Sequence, residues 1–581
     1  MDLQTLRHSC SHVLAQAVKE LWPETKLGIG PAIEDGFYYD FDTSAVLSAG
    51  KKEPFSEEDL SRIEKKMRDI IGKNEPFIRE EMNKDEAHGL FAGLKEDYKI
   101  ELIDALADDK AIIYKTGDSF IDLCRGPHIE STGKIKAFKL LSIAGAYWHG
   151  IETNPMLQRI YGTCFATEKE LDEYLKNLEE AKRRDHRRLG PQLGIFSLYP
   201  KEAGAGIVFY HPKGAALRTI IEDYLKKEHL KRGYQIVITP HIMDASLWHT
   251  SGHYDYYRQN MYTLKVEEKE FVLKPMNCPG HILIYKSDIR SYRDLPLRLF
   301  ELGTVYRHEK AGVLHGLLRV RGFTQDDAHI FCTQEQIESE VIGIIDFVLE
   351  AMSDFGFKDL SIELSTRPEK FIGTESDWQE ATSALENTLK DKKLGYEVNP
   401  GEGAFYGPKI DIKIKDALKR EWQCATIQCD FALPQRFELK YIDSQGEAKQ
   451  PIMLHRVILG SLERFIGVLI EHYAGGFPLW LAPVQASVIS IKTTLQDYIT
   501  QLTAALKSRS IRAETDNRNL TLEKKIREAE LAKIPYLLIV GEREVKSQTV
   551  SVRKRREGDI GAMSAQEFIN RLEDEILKKV T

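Results

Sequence analysis

A change of rhythm along the chain constrains the fold most. From residue 481 to residue 581 strand-like and helix-period segments alternate: strand Ala486–Ile491, helix Thr494–Lys507, strand Ile511–Glu514, helix Leu522–Leu531, strands Tyr536–Val540 and Thr549–Arg553, and helix Ala565–Lys578. Such alternation predicts an open α/β sheet. Residues 191–480 instead set amphipathic helices (Ala215–Arg232, Gln334–Phe355) among strand-like runs such as Glu270–Leu273, Arg298–Tyr306 and Lys409–Ile414, without regular helical crossovers. Neighbouring strands of that kind favour an antiparallel sheet. Two sheet architectures in one chain call for separate domains.

The first block, residues 1–167, reads as α+β. Leu3, Leu6, Cys10, Leu14, Ala17 and Leu21 form one stripe at helical spacing, and Pro23 stops that helix. Strand-like runs follow at Gly36–Phe41 and Ala111–Tyr114. A charged helical stretch, Glu168 to Arg188, ends in Lys182-Arg183-Arg184-Asp185-His186-Arg187-Arg188 and then Gly190-Pro191, which predicts a linker helix over 168–190 and a boundary. The whole chain of 581 residues has room for three or four domains. The expected fold class is multidomain, α+β and α/β.

The 81 basic and 89 acidic residues give a net charge of −8, so no global positive field recruits nucleic acid and any RNA contact rests on local patches. With 42% hydrophobic and 29% charged residues the composition is globular. Seven scattered cysteines, an odd number, do not form a disulfide framework and fit a reducing compartment. The N-terminus lacks a basic region followed by an apolar one. The longest uncharged stretch, Ala474 to Ile491, contains Gly475, Gly476, Pro478 and Pro483, and reads as a buried strand and turn. The expectation is a cytoplasmic protein with no membrane contact.

Three segments of the middle block occur in order: Arg232-Gly-Tyr-Gln-Ile-Val-Ile-Thr-Pro240; Tyr306-Arg307-His308-Glu309 with Arg319 and Phe323 downstream; and Gly460-Ser461-Leu462-Glu463-Arg464 opening a helix. Each alone is weak, because a surface ion pair explains an Arg near a Glu equally well. Together they resemble the three signature motifs of class II aminoacyl-tRNA synthetases; the third keeps only Gly460 of its glycine-rich start. The resemblance implies ATP-dependent activation of an amino acid on an antiparallel-sheet core. Attack of a carboxylate on the α-phosphate builds negative charge that fixed guanidinium groups stabilise. By the family match Arg307 takes the α-phosphate, Arg464 the γ-phosphate, Glu309 the adenine amino group and Phe323 the base by stacking, with Arg319 a further phosphate contact. Departure of pyrophosphate implies magnesium with ATP. Motif one builds the family's dimer interface, so a homodimer is expected.

Pro275-Met276-Asn277-Cys278-Pro279-Gly280-His281, Gln325-Asp326-Asp327-Ala328-His329-Ile330-Phe331 and Met453-Leu454-His455-Arg456 are similar to the segments that supply the zinc ligands in threonyl-tRNA synthetases. The resemblance carries Cys278, His329 and His455 over as ligands, one zinc per subunit; spacing alone fits packed core residues as well. Three protein ligands leave coordination positions for substrate. Threonine would bind through its amino group and hydroxyl, with Asp327 accepting from that hydroxyl. A site built for a hydroxyl rejects an isostere lacking it by roughly 10⁴–10⁵-fold, whereas one methyl is worth only about 10–200-fold. Valine is excluded and serine gets through. Met276, Gln325, Tyr406 and Gln428 match further pocket positions, or else are ordinary core and strand-face residues.

That leak calls for a second site. His8 and His12 lie four apart on the opening helix, on a face that the angular count turns away from the apolar stripe toward Gln16, Lys19 and Glu20, so a solvated polar face is the plain expectation. Asp122-Leu123-Cys124-Arg125-Gly126-Pro127-His128 sets Cys124 and His128 four apart as well. Such a quartet suggests zinc by composition. The pair of patterns resembles the editing domain shared by threonyl- and alanyl-tRNA synthetases, and the threonyl type implies a metal-free hydrolytic site for Ser-tRNA. Asp122 is the candidate water-positioning group or general base, and Lys99 a further candidate.

The last block resembles the anticodon-binding domain of the threonyl, prolyl, histidyl and glycyl subgroup. Asn519, Glu544 and Arg553 match positions associated with anticodon bases. The run Arg553-Lys554-Arg555-Arg556 suits phosphates or a solvated strand end, and Lys182–Arg188 suits tRNA or helix surface. Many family members begin with a small ubiquitin-like domain; here Met1 lies seven residues before His8, and that domain is expected to be absent. The resemblance implies tRNA(Thr), ATP and threonine as partners. The alternatives are a synthetase for proline or serine, which the ligand match disfavours, and a non-catalytic RNA-binding regulator, which intact Arg307, Glu309 and Arg464 disfavour.

Overall fold

The structure, a computed structural model, describes residues 2–44, 54–118, 120–404 and 406–580. It divides into two compact units, Met1–Glu180 and Ala181–Thr581.

In the first unit helix α1 (Leu3–Leu21) starts where the Asp2 carboxylate accepts from the Gln4 and Thr5 amides at 3.3 and 3.0 Å, satisfying donors that a helix start leaves open. Its apolar stripe is buried, as the periodicity predicts. Much of the opposite face is covered too: His12 and Gln16 are at most 2% exposed, and His8, Lys19 and Glu20 are half-buried. This corrects the expectation of a solvated polar face. A helical wheel locates the most apolar side but not how far the neighbours reach, and α1 is enclosed by strand β1 (Gly36–Asp42), helix α2 (Glu57–Lys73) and strand β6 (Met156–Phe165). Its polar residues are buried with partners; Ser11 donates to the Gly30 carbonyl at 2.6 Å and Arg7 Nε to the Cys164 carbonyl at 3.3 Å.

A five-stranded sheet has the order Lys26–Leu27, β1, β6, β5 (Ala137–Tyr147), with Ala32–Ile33 paired to β1. A second, three-stranded sheet runs β2 (Phe77–Asn83), β3 (Lys110–Thr116), β4 (Phe120–Leu123). Strand β4 carries Asp122 and ends just before Cys124.

Helix α3 (Glu168–Arg184) carries the predicted charge, and the chain breaks at Asp185, whose carboxylate accepts from the Arg187 amide at 2.8 Å. Helix α4 (His186–Gln192) then runs on through Gly190-Pro191, where the sequence suggested a break. His186 is fully buried: its Nδ1 lies 2.6 Å from Glu471 and its Nε2 accepts from the Leu317 amide at 2.9 Å. Within the basic run this residue is a packing clamp.

The core of the second unit is an eight-stranded sheet in the order β7 (Gln235–Ile236), β8 (Leu297–Tyr306), β9 (Gly322–Cys332), β14 (Ile452–Val457), β13 (Glu421–Asp430), β12 (Lys409–Lys415), β10 (Leu360–Ser365), β11 (Glu397–Asn399). Its pairs are antiparallel, as expected, except for the parallel pair at each edge. Strand alternation divides Gln325–Phe331 between two faces. Ala328 and Ile330 join Leu454, Ile427 and Ile412 in an apolar core with helices α7 (Ile337–Asp354) and α9 (Leu462–His472), whereas Gln325, Asp327 and His329 face the other way.

The C-terminal sheet runs β16 (Ala513–Asp516), β15 (Ala486–Ser490), β17 (Tyr536–Val540), β18 (Thr549–Lys554), β19 (Gly558–Ser564); the first three are parallel and the last two antiparallel. Helix α11 (Leu522–Leu531) has the predicted bounds. Sequence periodicity missed the short helix α12 (Glu542–Ser547), too brief to show a period, and β19, whose run Gly-Asp-Ile-Gly-Ala-Met-Ser holds two glycines and no apolar alternation.

Candidate active site

Register assembles the site. Leu299, His329, His455, Gln428 and Lys409 each stand opposite the next across β8, β9, β14, β13 and β12. Above this row lies a cavity of about 400 Å³ lined by Met276, Cys278, Arg307, Phe323, Gln325, Asp327, His329, Tyr406, Gln428, His455 and Arg464, all expected from sequence, together with Lys409, Asp411 and Thr426, which were not.

Cys278 opens helix α6 (Cys278–Lys286), His329 sits in β9 and His455 in β14. One donor atom from each lies within 4.8 Å of the others, and all three residues are buried. Burial pushes the Cys278 thiol well above its usual range and the His329 imidazole well below, so both of these donors are held neutral. A thiol and two imidazoles are the donor chemistry of zinc, so the residues fit that ion. The outer bonds select the nitrogens. His455 Nε2 lies 2.8 Å from Asp430 Oδ2, whose other oxygen accepts from the Ala432 and Leu433 amides at 2.7 and 3.0 Å; Nδ1 is left to ligate. His329 Nδ1 lies 2.8 Å from His281 Nδ1, which leaves Nε2.

Asp327 borders the same point. Its Oδ2 accepts from Asn277 Nδ2 at 3.0 Å, its Oδ1 lies 3.7 Å from His329 Nε2, and burial raises its carboxyl. The Tyr406 hydroxyl donates to Gln428 Oε1 at 2.7 Å. At the other end of the cavity the Arg307 guanidinium lies 5.2 Å from the Phe323 ring centre and its Nε donates to the Pro275 carbonyl at 3.2 Å. Arg464 Nε donates to the Leu318 carbonyl at 3.2 Å, and burial lowers the guanidinium from its usual range, the mark of a cation that lacks water and gains from an anion. Glu309 and Arg319 pair with each other, Nη2 to Oε2 at 2.9 Å.

In the first unit His8, His12, Cys124 and His128 also converge within 4.8 Å. Cys124 Sγ lies 3.2 Å from His8 Nε2 and 3.3 Å from His128 Nε2. Burial lowers all three histidines, so each imidazole is neutral at physiological pH, and raises the Cys124 thiol to about 12. Asp122 sits beside them, with Oδ1 paired to Lys99 Nζ at 2.5 Å and Oδ2 accepting from the Tyr39 hydroxyl at 2.6 Å and lying 3.6 Å from His12 Nε2.

The anticodon candidates are less convergent. Asn519 is exposed in the loop before α11. Glu544 caps its own helix, accepting from the Gly541 amide at 2.9 Å, and its other oxygen lies 3.5 Å from Ser551, which shares a face of β18 with Arg553. Arg553 Nη2 lies 3.9 Å from Glu530. Arg555 is not available to phosphates: it donates to the carbonyls of Lys533, Gly476 and Phe477 at 2.5, 2.7 and 2.6 Å, and burial lowers it to about 10.

Sequence reasoning missed the residues that hold others in place: Asn277, His281, Asp430 and Tyr39. Asp430 was findable, since it lies two residues from Gln428 on a strand and so shares its face.

Residues 262–473 match the tRNA synthetase class II core domain family (G, H, P, S and T), residues 485–575 the anticodon binding domain family, and residues 112–161 the threonyl and alanyl tRNA synthetase second additional domain. Threonine–tRNA ligase of Citrifermentans bemidjiense is 57% identical over 99% of this chain and 88% of its own length; that of Acetivibrio thermocellus is 52% identical over 99% and 88%. Among solved structures, the RNA binding domain of threonyl-tRNA synthetase from Cryptosporidium parvum is 43% identical with a TM-score of 0.65, covering 67% of this chain and 98% of that one. Giardia lamblia prolyl-tRNA synthetase, 17% identical with a TM-score of 0.54 over 69% of this chain and 80% of that one, shares the fold. The chain belongs to the threonine–tRNA ligase family of class II aminoacyl-tRNA synthetases.

Proposed function

We propose that the cavity of the second unit activates threonine with ATP and passes it to tRNA(Thr), that Cys278, His329 and His455 hold one zinc ion, and that the His8–His128 cluster hydrolyses Ser-tRNA(Thr). The observation that carries this reading is the convergence of a thiol, two imidazoles and two guanidinium groups, from distant parts of the sequence, on one cavity. A zinc ion there would offer open coordination positions to an amino group and a neighbouring hydroxyl.

Asp327 accepts from the hydroxyl of threonine, and Met276, Gln325, Tyr406 and Gln428 shape the pocket around it. Arg307 holds the α-phosphate of ATP against the threonine carboxylate, with Phe323 beneath the base. The carboxylate attacks, pyrophosphate leaves with magnesium, and Arg464 neutralises the γ-phosphate. Glu309, released from Arg319, accepts from the adenine amino group. In the N-terminal cluster the neutral histidines and Cys124 position the mischarged ester, and Asp122, anchored by Lys99 and Tyr39, orients the water. Asn519, Glu544 and Arg553 contact the anticodon.

The motif-one segment supports a homodimer. Ile238, 87% exposed, and Leu283 border an apolar groove of about 670 Å³ with Met243, Leu247 and Phe437, a surface that a second copy would cover. No helix among the described residues is long and apolar enough to cross a membrane.

ATP–pyrophosphate exchange run with threonine, serine, valine and proline tests the reading. Exchange with threonine, less with serine and only a residual rate with valine or proline is the expected pattern; exchange with valine as fast as with threonine overturns it.

A further inference from the structure

His329 can offer the proposed ion one nitrogen, and what fixes that nitrogen lies behind it. His329 Nδ1 is 2.8 Å from His281 Nδ1, and His281 Nε2 is 3.2 Å from Glu301 Oε2. All three residues are buried, with Glu301 3% exposed. Glu301 stands directly opposite Asp327 across β8 and β9, so the carboxylate lies beside the ligand strand.

The proposed ligand role of His329 Nε2 fixes the protons along this line. Glu301 is an acceptor, since it receives the Thr239 amide at 2.8 Å, the Thr239 hydroxyl at 2.8 Å and Lys274 Nζ at 3.1 Å. His281 therefore donates to it through Nε2 and turns Nδ1 toward His329. A lone pair on His329 Nε2 for the ion requires its proton on Nδ1, where His281 Nδ1 accepts it. The opposite tautomer of His329 would set two lone pairs against each other and leave a buried hydrogen bond unmade. Four donors on one carboxylate also hold Glu301 against rotation. The second ligand histidine, His455, meets its carboxylate directly; only the His329 branch is routed through another imidazole.

We propose that Glu301 and His281 are positioning residues that hold His329 with Nε2 toward the metal and thereby set the affinity for zinc. The proposal rests on the reading of Cys278, His329 and His455 as ligands. Neither positioning residue lines the cavity. Outer partners of metal-bound histidines fix tautomer and ring orientation, and their loss typically costs about 10–100-fold in metal affinity.

The test is zinc affinity of the full chain, measured by competition with a chromophoric chelator, together with the visible spectrum of the cobalt(II)-substituted protein and the affinity for ATP. His281→Ala weakens zinc binding by about 10–100-fold and alters the cobalt spectrum, while ATP affinity is kept. His281→Asn, whose side-chain oxygen falls near the lost Nδ1 and accepts from His329, recovers most of the affinity. Glu301→Gln tests the same line independently if His281→Ala does not fold: its amide can donate to His281 Nε2, moving the proton to Nδ1 and confronting the His329 N–H with a second donor, so zinc affinity again falls. Wild-type zinc affinity in both His281→Ala and Glu301→Gln, or an Asn variant no better than the Ala variant, overturns the proposal. A wild-type chain that binds no zinc, or one whose zinc survives Cys278→Ser, removes the ligand reading instead.

Discussion

His329 and His455 face each other on neighbouring antiparallel strands, their ring centres 4.7 Å apart and their planes at 86°. Only the register of β9 against β14 brings them together. A slip of one residue would turn one of the rings to the helix-covered face of the sheet. The proposed metal site is in this sense a property of strand pairing, with Cys278 supplied by the end of a helix beside it.

On the proposed reading Asp327 distinguishes a hydroxyl from a methyl. A buried hydrogen bond to a charged group contributes about 1.5–3 kcal/mol. Asp327→Asn should therefore lower kcat/KM for threonine in ATP–pyrophosphate exchange by about 10–150-fold while leaving the residual rate with valine unchanged. An equal loss for both amino acids would show that Asp327 supports the fold rather than selecting the hydroxyl.

Removing His8 and His12 together, each to Ala, should let Ser-tRNA(Thr) accumulate in an aminoacylation assay supplied with serine. Threonine-dependent exchange should stay at the wild-type rate, because that chemistry belongs to the other unit. Undiminished clearance of Ser-tRNA by the double variant rejects the editing assignment.

The histidines of the first unit, His12 buried and His8 and His128 half-buried, should make stability fall in acid. His8, His12 and His128 have folded-state values below the usual 6.5, so between the two values the unfolded chain binds more protons than the folded one. Stability is then fully present above pH 6.5 and is lost as the pH falls below it, by at most about 1.4 kcal/mol per pH unit for each histidine. Urea unfolding at pH 7.5 and 5.5 should show this loss, and His128→Asn should reduce it. A loss unchanged in that variant would place the acid sensitivity elsewhere.

Arg555 separates packing from RNA binding. Arg555→Ala strands carbonyls that now accept its hydrogen bonds and should destabilise the chain by about 1–3 kcal/mol in thermal unfolding. The salt dependence of tRNA binding should not move. A shallower salt slope would mean that Arg555 meets phosphate after all.

Much of this was legible in the sequence, and the residues show why. Tyr536–Val540 and Leu522–Leu531 have the predicted bounds because apolar period and flanking turns agreed there. Cys278, His329 and His455 were reached through family resemblance; no local spacing joins them, and strand register cannot be read from any one of the three. His12 was misjudged for a related reason: the burial of a polar helix face depends on neighbours that arrive much later in the chain. Asn277, His281 and Asp430 left little trace because their role is to hold another side chain, and that role exists only in three dimensions.

The central claim is that zinc at Cys278, His329 and His455 is what recognises threonine. Threonine-dependent ATP–pyrophosphate exchange, measured on the chelator-stripped chain before and after zinc is returned, tests it most directly. The account predicts that the stripped protein loses exchange and that one zinc per chain restores it; exchange that proceeds at the same rate without the metal would contradict it.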